Sequence, residues 1–222
     1  LILLYFGSII INQIAIYKKI IMRKFLHIGC GDNKKEHTTP VFIGNDWEEV
    51  RLDIDKNANP DIIASMTDLN MIGDEEYDGI FSSHNIEHIY PHQVDKTLRE
   101  FNRVLKKDGE AYIICPDLKV IAKQILDDKF VEPLYESPAG PITPLDMLFG
   151  LRSAVAEGNE YMAHKCAFTS EILQRLLLGA GFGSVAAATT SSYNIIALAL
   201  KPKGLVDLAI EKLHLHNGSH GT

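Results

Sequence analysis

Short apolar runs alternate with longer amphipathic ones along most of this 222-residue chain. Lys24–Ile28 is apolar and runs into glycines, which predicts a buried first strand. Val50–Ile54, Asp61–Ala64 and Tyr77–Ser82 predict three more strands, and Glu110–Cys115 a fifth, stopped by Pro116. Val185–Thr190 and Ile195–Leu200 predict a closing pair joined through residues 191–194 as a hairpin. Helical periodicity fills the gaps. Over residues 92–107, Val94, Leu98, Phe101 and Leu105 share one face, and Gly109 supplies a stop signal. Leu118, Ile121, Ile125 and Leu126 do the same over residues 116–128. Residues 169–182 open on Thr169 or Ser170 as N-cap and close at Gly181. Strands alternating with helices predict a doubly wound α/β domain, with a mostly parallel sheet covered on both faces. Ligands bind such a sheet beyond the C-terminal ends of its strands.

Two stretches depart from this rhythm. Residues 127–168 hold Pro133, Pro138, Pro141 and Pro144 and are too long for an ordinary connection. Their place after the fifth strand predicts a lid over the site, with a plain surface insertion as the alternative. Residues 1–21 are mostly apolar, but no basic region precedes them as in a signal peptide. Asn12 and Gln13 interrupt them short of the roughly 20 apolar residues of a spanning helix. They are expected to be an extension outside a domain of residues 22–203, and no membrane association is expected. Residues 204–222 carry an amphipathic stretch, LVDLAIEKLHL, that docks, mediates a dimer contact or frays.

Composition narrows the partners. A net charge of -7 argues against nucleic acid, whose affinity comes largely from Lys and Arg on phosphates. Cys30, Cys115 and Cys166 lie too far apart for a disulfide framework or a C-x-x-C zinc pattern and suit a reduced, cytoplasmic protein.

The turn HIGCGD, residues 27–32, is the strongest local signal. Gly29 and Gly31 allow a sharp turn and close backbone approach, so that amide groups face an anionic ligand. Asp53 ends the second predicted strand, where an acid accepts both hydroxyls of a ribose; the alternative for Asp53 or Asp55 is a helix cap. The run continues Asp32, Asn33, Lys34, Lys35, Glu36, without the third glycine of a dinucleotide fingerprint. That weakens a nicotinamide-dependent oxidoreductase or epimerase.

HIGCG, RLDID, SMTDLNMIGDEEYDGIFSSHNIEHIYPHQ, EFNRVLKKDGEAYIICPDL and EYMAHKCAFTSEILQRLLLGAGF stand in one order between Lys24 and Lys201. This set resembles the class I S-adenosylmethionine-dependent methyltransferases, and more closely their small bacterial methyltransferase type 11 group. The resemblance implies a Rossmann-like seven-stranded sheet with its last strand antiparallel. It implies S-adenosyl-L-methionine as cofactor, on Gly29, Cys30 and Gly31, with Asp53 and Ile54 at the ribose. His27 stands where the family often has Asp or Glu. Ser65 stands where an acid often lies near the adenine, beside Met66. Ser83, His84 and Asn85 fall where the family lines the sulfonium and the acceptor. His84 is read either as a general base, since imidazoles exchange protons near neutral pH, or as a hydrogen-bonded structural residue. Tyr161, His164 and Lys165 precede the late helix and are candidates to face a small-molecule or glycan-type acceptor. Asp117 is read as a helix N-cap. His84, His88 and His92 are spaced as on one helix face, but Pro91 disfavours helical geometry at Tyr90, so they predict no metal site. A non-catalytic cofactor-binding protein remains a further alternative.

Overall fold

The computed structural model describes residues 22–218, with side chains to His214. The expectation for residues 1–21 falls outside the described residues. Seven strands form the main sheet: β1 (Arg23–Ile28), β2 (Trp47–Asp53), β3 (Ile62–Ile63), β4 (Tyr77–Ser83), β5 (Leu105–Pro116), β8 (Ser184–Thr189) and β9 (Asn194–Leu200). Their order is β3-β2-β1-β4-β5-β9-β8. β9 runs antiparallel to both its neighbours, and the other pairings are parallel. The expected seven-stranded α/β sheet with its last strand antiparallel is therefore present. The antiparallel strand is inserted inside the sheet, and β8 forms the edge.

Alternation along β1 builds the two cores. Leu26 and Ile28 face one side, where α1 (Pro91–Val104) brings Val94, Leu98 and Phe101 and α5 (Ser170–Gly179) brings Leu173 and Leu177. Phe25 faces the other side with Phe42, Trp47, Phe81 and Tyr112. Phe25 and Phe42 stack at 4.4 Å, and Trp47 meets Phe42 edge-on at 4.8 Å. Such pairs contribute about 0.5–1.5 kcal/mol each beyond burial. The tail supplies α6 (Val206–Gly218), which buries Ala209 and Leu213 in this second core, so its first part docks on the sheet. No helix among the described residues is long and apolar enough to cross a membrane.

Three boundaries differ from expectation. α1 stops at Val104, and Leu105 already pairs with Tyr77, because the buried Leu105 turns extended (ψ 140°) and enters the sheet. The third strand shrinks to Ile62–Ile63. No α-helix follows β1, only a 3-10 turn at Lys35–His37. The long insertion is structured: a hairpin of β6 (Tyr135–Ser137) and β7 (Gly140–Ile142), then α3 (Pro144–Phe149) and α4 (Arg152–Ala156). α2 (Leu118–Leu126) precedes it, with Asp117 as the expected N-cap accepting from the Lys119 amide at 2.9 Å.

Candidate active site

A cavity of about 540 Å³ opens at the C-terminal ends of β1, β2 and β4. That edge follows from the parallel sheet, since loops leaving these strands must all pass there. One end is lined by Gly29, Gly31, Asp53, Ile54, Ser65 and Met66. The other is lined by His84, Asn85, His88, Tyr90, Tyr161 and Lys165.

The glycine turn is held differently from the expectation. Its amides do not face the cavity unpaired: those of Gly29 and Cys30 donate to the Leu52 carbonyl at 2.8 and 3.3 Å, and that of Gly31 donates to Asp53 Oδ2 at 2.7 Å. Asp53 Oδ1 accepts from the Asp55 amide at 2.8 Å. The carboxylate thus clamps two turns together and keeps further lone pairs for a ligand. Asp55 caps the following 3-10 turn through the Asn57 amide at 2.9 Å. Gly31 has φ +49°, and a Cβ there would meet no atom within 4 Å. Gly29, at φ +64°, makes room for protein instead: its Cβ would lie 1.8 Å from Asn85 Oδ1. Asn85 Nδ2 donates to the carbonyls of Ile28 and Ser83 at 2.9 and 2.8 Å, which fastens β4's loop to the turn after β1.

Arg51 is a residue that sequence reasoning missed. Its guanidinium donates to the carbonyls of Gly31, Asn33, Ala58 and Asn59. One planar fork thereby joins the loops after β1 and β2. A cation between Val50 and Leu52, two positions before Asp53, was the available signal. Tyr90, Gln93, Asn159 and Met162 also line the cavity and carried no motif. Gly150, at φ +92°, brings the insertion into place, because a Cβ there would strike the Met162 carbonyl at 1.8 Å.

His84 sits at φ +55°, a left-handed conformation rare outside glycine and common at functional turns. Its Nδ1 lies 3.4 Å from Oε1 of the buried Glu87. Burial by itself would raise the Glu87 carboxyl, but the imidazoles of His84, His88 and His164 outweigh it and hold it below the usual range. Burial pushes His164 in the neutral direction, against the pull of Glu87. These two tendencies oppose each other; the ionised carboxylate is the better founded, since three imidazoles face it at once. Burial raises the Cys30 and Cys166 thiols to about 11 and Cys115 well above its ordinary value, so none is poised as a nucleophile.

Four expected residues do not line the cavity. His27 points to the opposite face of β1, where its Nδ1 meets Glu49 Oε1 at 2.6 Å and its ring meets Phe81 edge-on. The strand alternation that buries Leu26 and Ile28 on the cavity's side sends it there. Cys30 is fully buried beneath the turn. Ser83 contributes its carbonyl to Asn85 rather than a cavity wall. His164 lies behind the wall, its Nδ1 2.8 Å from the Met147 carbonyl. His92 is on α1, stacked on Tyr90.

The family model described as methyltransferase domain matches residues 26–113. A search of curated protein sequences finds no match. Among solved structures, a SAM dependent methyltransferase from Archaeoglobus fulgidus is similar, with TM-score 0.56, 14% identity, and 87% of this chain and 94% of that chain covered. The 1,6-didemethyltoxoflavin-N1-methyltransferase of Burkholderia thailandensis, solved with 1,6-didemethyltoxoflavin and S-adenosylhomocysteine, has TM-score 0.52, 14% identity, and 84% and 76% coverage. A SAM-dependent methyltransferase from Thermotoga maritima, described as a possible histamine N-methyltransferase, has TM-score 0.51, 14% identity, and 81% and 83% coverage. At these identities the likeness is one of fold. The domain match over residues 26–113 and the fold shared with solved S-adenosylmethionine-dependent methyltransferases are together consistent with the class I, methyltransferase type 11 family.

Proposed function

We propose that the Gly31–Asp53 end of the cavity binds S-adenosylmethionine and that the chain transfers its methyl group to a small-molecule or glycan-type acceptor at the Tyr90–Tyr161 end. The observation that carries this reading is Gly31: left-handed, free of neighbours where a Cβ would stand, and beside a carboxylate with unused lone pairs. That cradle fits a nucleoside whose ribose hydroxyls donate to Asp53, with Ile54 and Met66 as apolar walls. When bound, S-adenosylmethionine supplies a methyl group already activated on a sulfonium.

The chain's own residues then align and enclose. Residues 127–168 serve as the lid, because Asn159, Tyr161, Met162 and Lys165 reach the cavity from it. Tyr90 and Tyr161 put aromatic surface at this end of the cavity for a planar or sugar acceptor. Lys165 Nζ stands 5.1 Å from the Tyr90 ring and adds positive charge for an anionic substituent. His84, backed by Glu87, is placed to accept the acceptor's proton. A dinucleotide is less well served: the third glycine is missing, and no α-helix follows β1 to receive a pyrophosphate.

Calorimetry of the full chain with S-adenosylhomocysteine and, separately, with nicotinamide cofactors tests the reading. Saturable binding of the first alone is expected. Binding of a nicotinamide cofactor alone would replace methyl transfer with hydride transfer as the function.

A further inference from the structure

Behind the acceptor end lies a group of side chains that methyl transfer does not require. Glu87, His88 and His164 place one ligand-type atom each within 4.8 Å of one another. The Glu87 side chain is 2% exposed; its nearest side-chain nitrogen, His84 Nδ1, is 3.4 Å from Oε1, and neither carboxylate oxygen has a well-formed hydrogen bond among the described residues. Desolvating a carboxylate without compensation is costly. The two rings are held from behind in one fashion. His88 Nδ1 lies 3.1 Å from the Ala163 carbonyl, and His164 Nδ1 lies 2.8 Å from the Met147 carbonyl. A carbonyl oxygen only accepts, so each Nδ1 carries the hydrogen, and in its neutral form each ring keeps its lone pair on Nε2. His164 Nε2 is 3.9 Å from Glu87 Oε1. Two acceptors at that distance repel unless a cation lies between them. Donation of the remote N–H to a backbone carbonyl is also the usual support of a metal-binding histidine.

We propose that Glu87, His88 and His164 bind a divalent transition-metal ion of the zinc class, with an open coordination position toward the cavity, where His84 stands. One ion satisfies all three inward-facing acceptors at once, whereas a single proton satisfies one contact. Zinc–ligand distances of about 2.0–2.1 Å require only a modest contraction of the present spacing. Two imidazoles and one carboxylate suit zinc, iron or nickel better than calcium or magnesium. Ile89 and Tyr90 are extended and Pro91 opens α1, so His88 and His92 lie on separate elements; the second imidazole comes instead from His164, 76 positions beyond His88, which the insertion folds back. The open position takes an oxygen or nitrogen donor. This last point rests on the methyltransferase reading, for it makes the acceptor the incoming ligand; the metal site itself does not.

The test is zinc titration of metal-stripped full-length protein by calorimetry, with cobalt(II) absorption as a second readout. One zinc per chain and the visible bands of a low-coordinate cobalt site are expected. Glu87→Gln and His164→Asn should each weaken zinc by more than the roughly 100-fold upper end for losing a supporting residue, and His92→Asn should leave zinc affinity as it is. Absence of stoichiometric zinc uptake, or equal uptake by wild type and both ligand variants, would overturn the proposal. Should the variants not fold, the wild-type cobalt spectrum decides: missing bands overturn it. S-adenosylhomocysteine titrated into the same samples separates the two readings. Its binding without zinc uptake removes only the metal, and zinc uptake without its binding removes only the cofactor reading.

Discussion

At the Asp53 end of the cavity, contacts span short stretches of chain. Gly31 and Asp53 are 22 positions apart, and Arg51 reaches Gly31 across 20. At the Glu87 end, His88 meets Ala163 across 75 positions, and Cys166 Sγ meets the Ile86 carbonyl across 80. The Gly31–Asp53 clamp at the first end forms once β1 and β2 pair. The second exists only after the insertion has folded back over β4. Contacts between distant segments cost more loop-closure entropy and form later. The Asp53 end is thus part of the sheet, whereas the Glu87 end is a layer laid on it by the insertion and, on the proposed function, the part that opens.

Substitutions at the two ends should therefore behave differently, and the largest effect is expected where they join. Gly29→Val drives a side chain into Asn85 at a left-handed position. It should cost about 3 kcal/mol, the upper end of overpacking losses, read from the urea midpoint. A wild-type midpoint would mean that the two ends are not coupled through Asn85. Asp53→Ala removes a charged clamp and, on the proposed function, the ribose acceptor. With such hydrogen bonds worth about 1.5–3 kcal/mol, S-adenosylhomocysteine affinity should fall about 10–100-fold. Unchanged affinity would put the ribose on another group, Asp55 first.

The insertion should respond to acid on its own. Burial opposes ionisation of Asp146, but hydrogen bonds from Arg152 and Thr143 prevail and hold its carboxyl at about 2. Because the folded value is depressed, this stabilisation is full above the unfolded value of about 3.9 and is lost as pH falls toward 2. About 2 kcal/mol should disappear over that window, visible as earlier hydrogen exchange in residues 143–156 than in β1. Equal loss in both segments would make lid and sheet one cooperative unit. Arg51→Lys keeps the charge but cannot bridge four carbonyls, so the cofactor end should loosen by about 1 kcal/mol, seen as weaker S-adenosylhomocysteine binding. The smallest effect belongs to Tyr161→Ala. An exposed lid ring should change S-adenosylhomocysteine binding by less than about 0.5 kcal/mol; a larger loss would place the cofactor under the lid.

What could be read from the sequence follows the same division. Strands and helices were legible because burial on one face imposes a period of two or 3.6 on the residues themselves. The glycine turn and Asp53 were legible because conformational freedom and charge at a strand end are local properties. Even there the partners were not. Asp53 holds the Gly31 amide, and Gly29 yields to Asn85, both of which depend on which strands lie side by side. His27 looked like a site residue from its place before the glycines, but strand alternation and Glu49 turn it away.

The sequence by itself determined the alternation of elements, the sheet they form and the edge at which a ligand binds. These depend on periodicity and short connections. Tertiary structure alone decided that Arg51 ties two loops together, that the insertion supplies one wall, and that Glu87 lies among three histidines. The physical reason is distance along the chain: no local pattern encodes a contact whose partner lies 75 residues away and arrives only when a separate segment folds over the sheet.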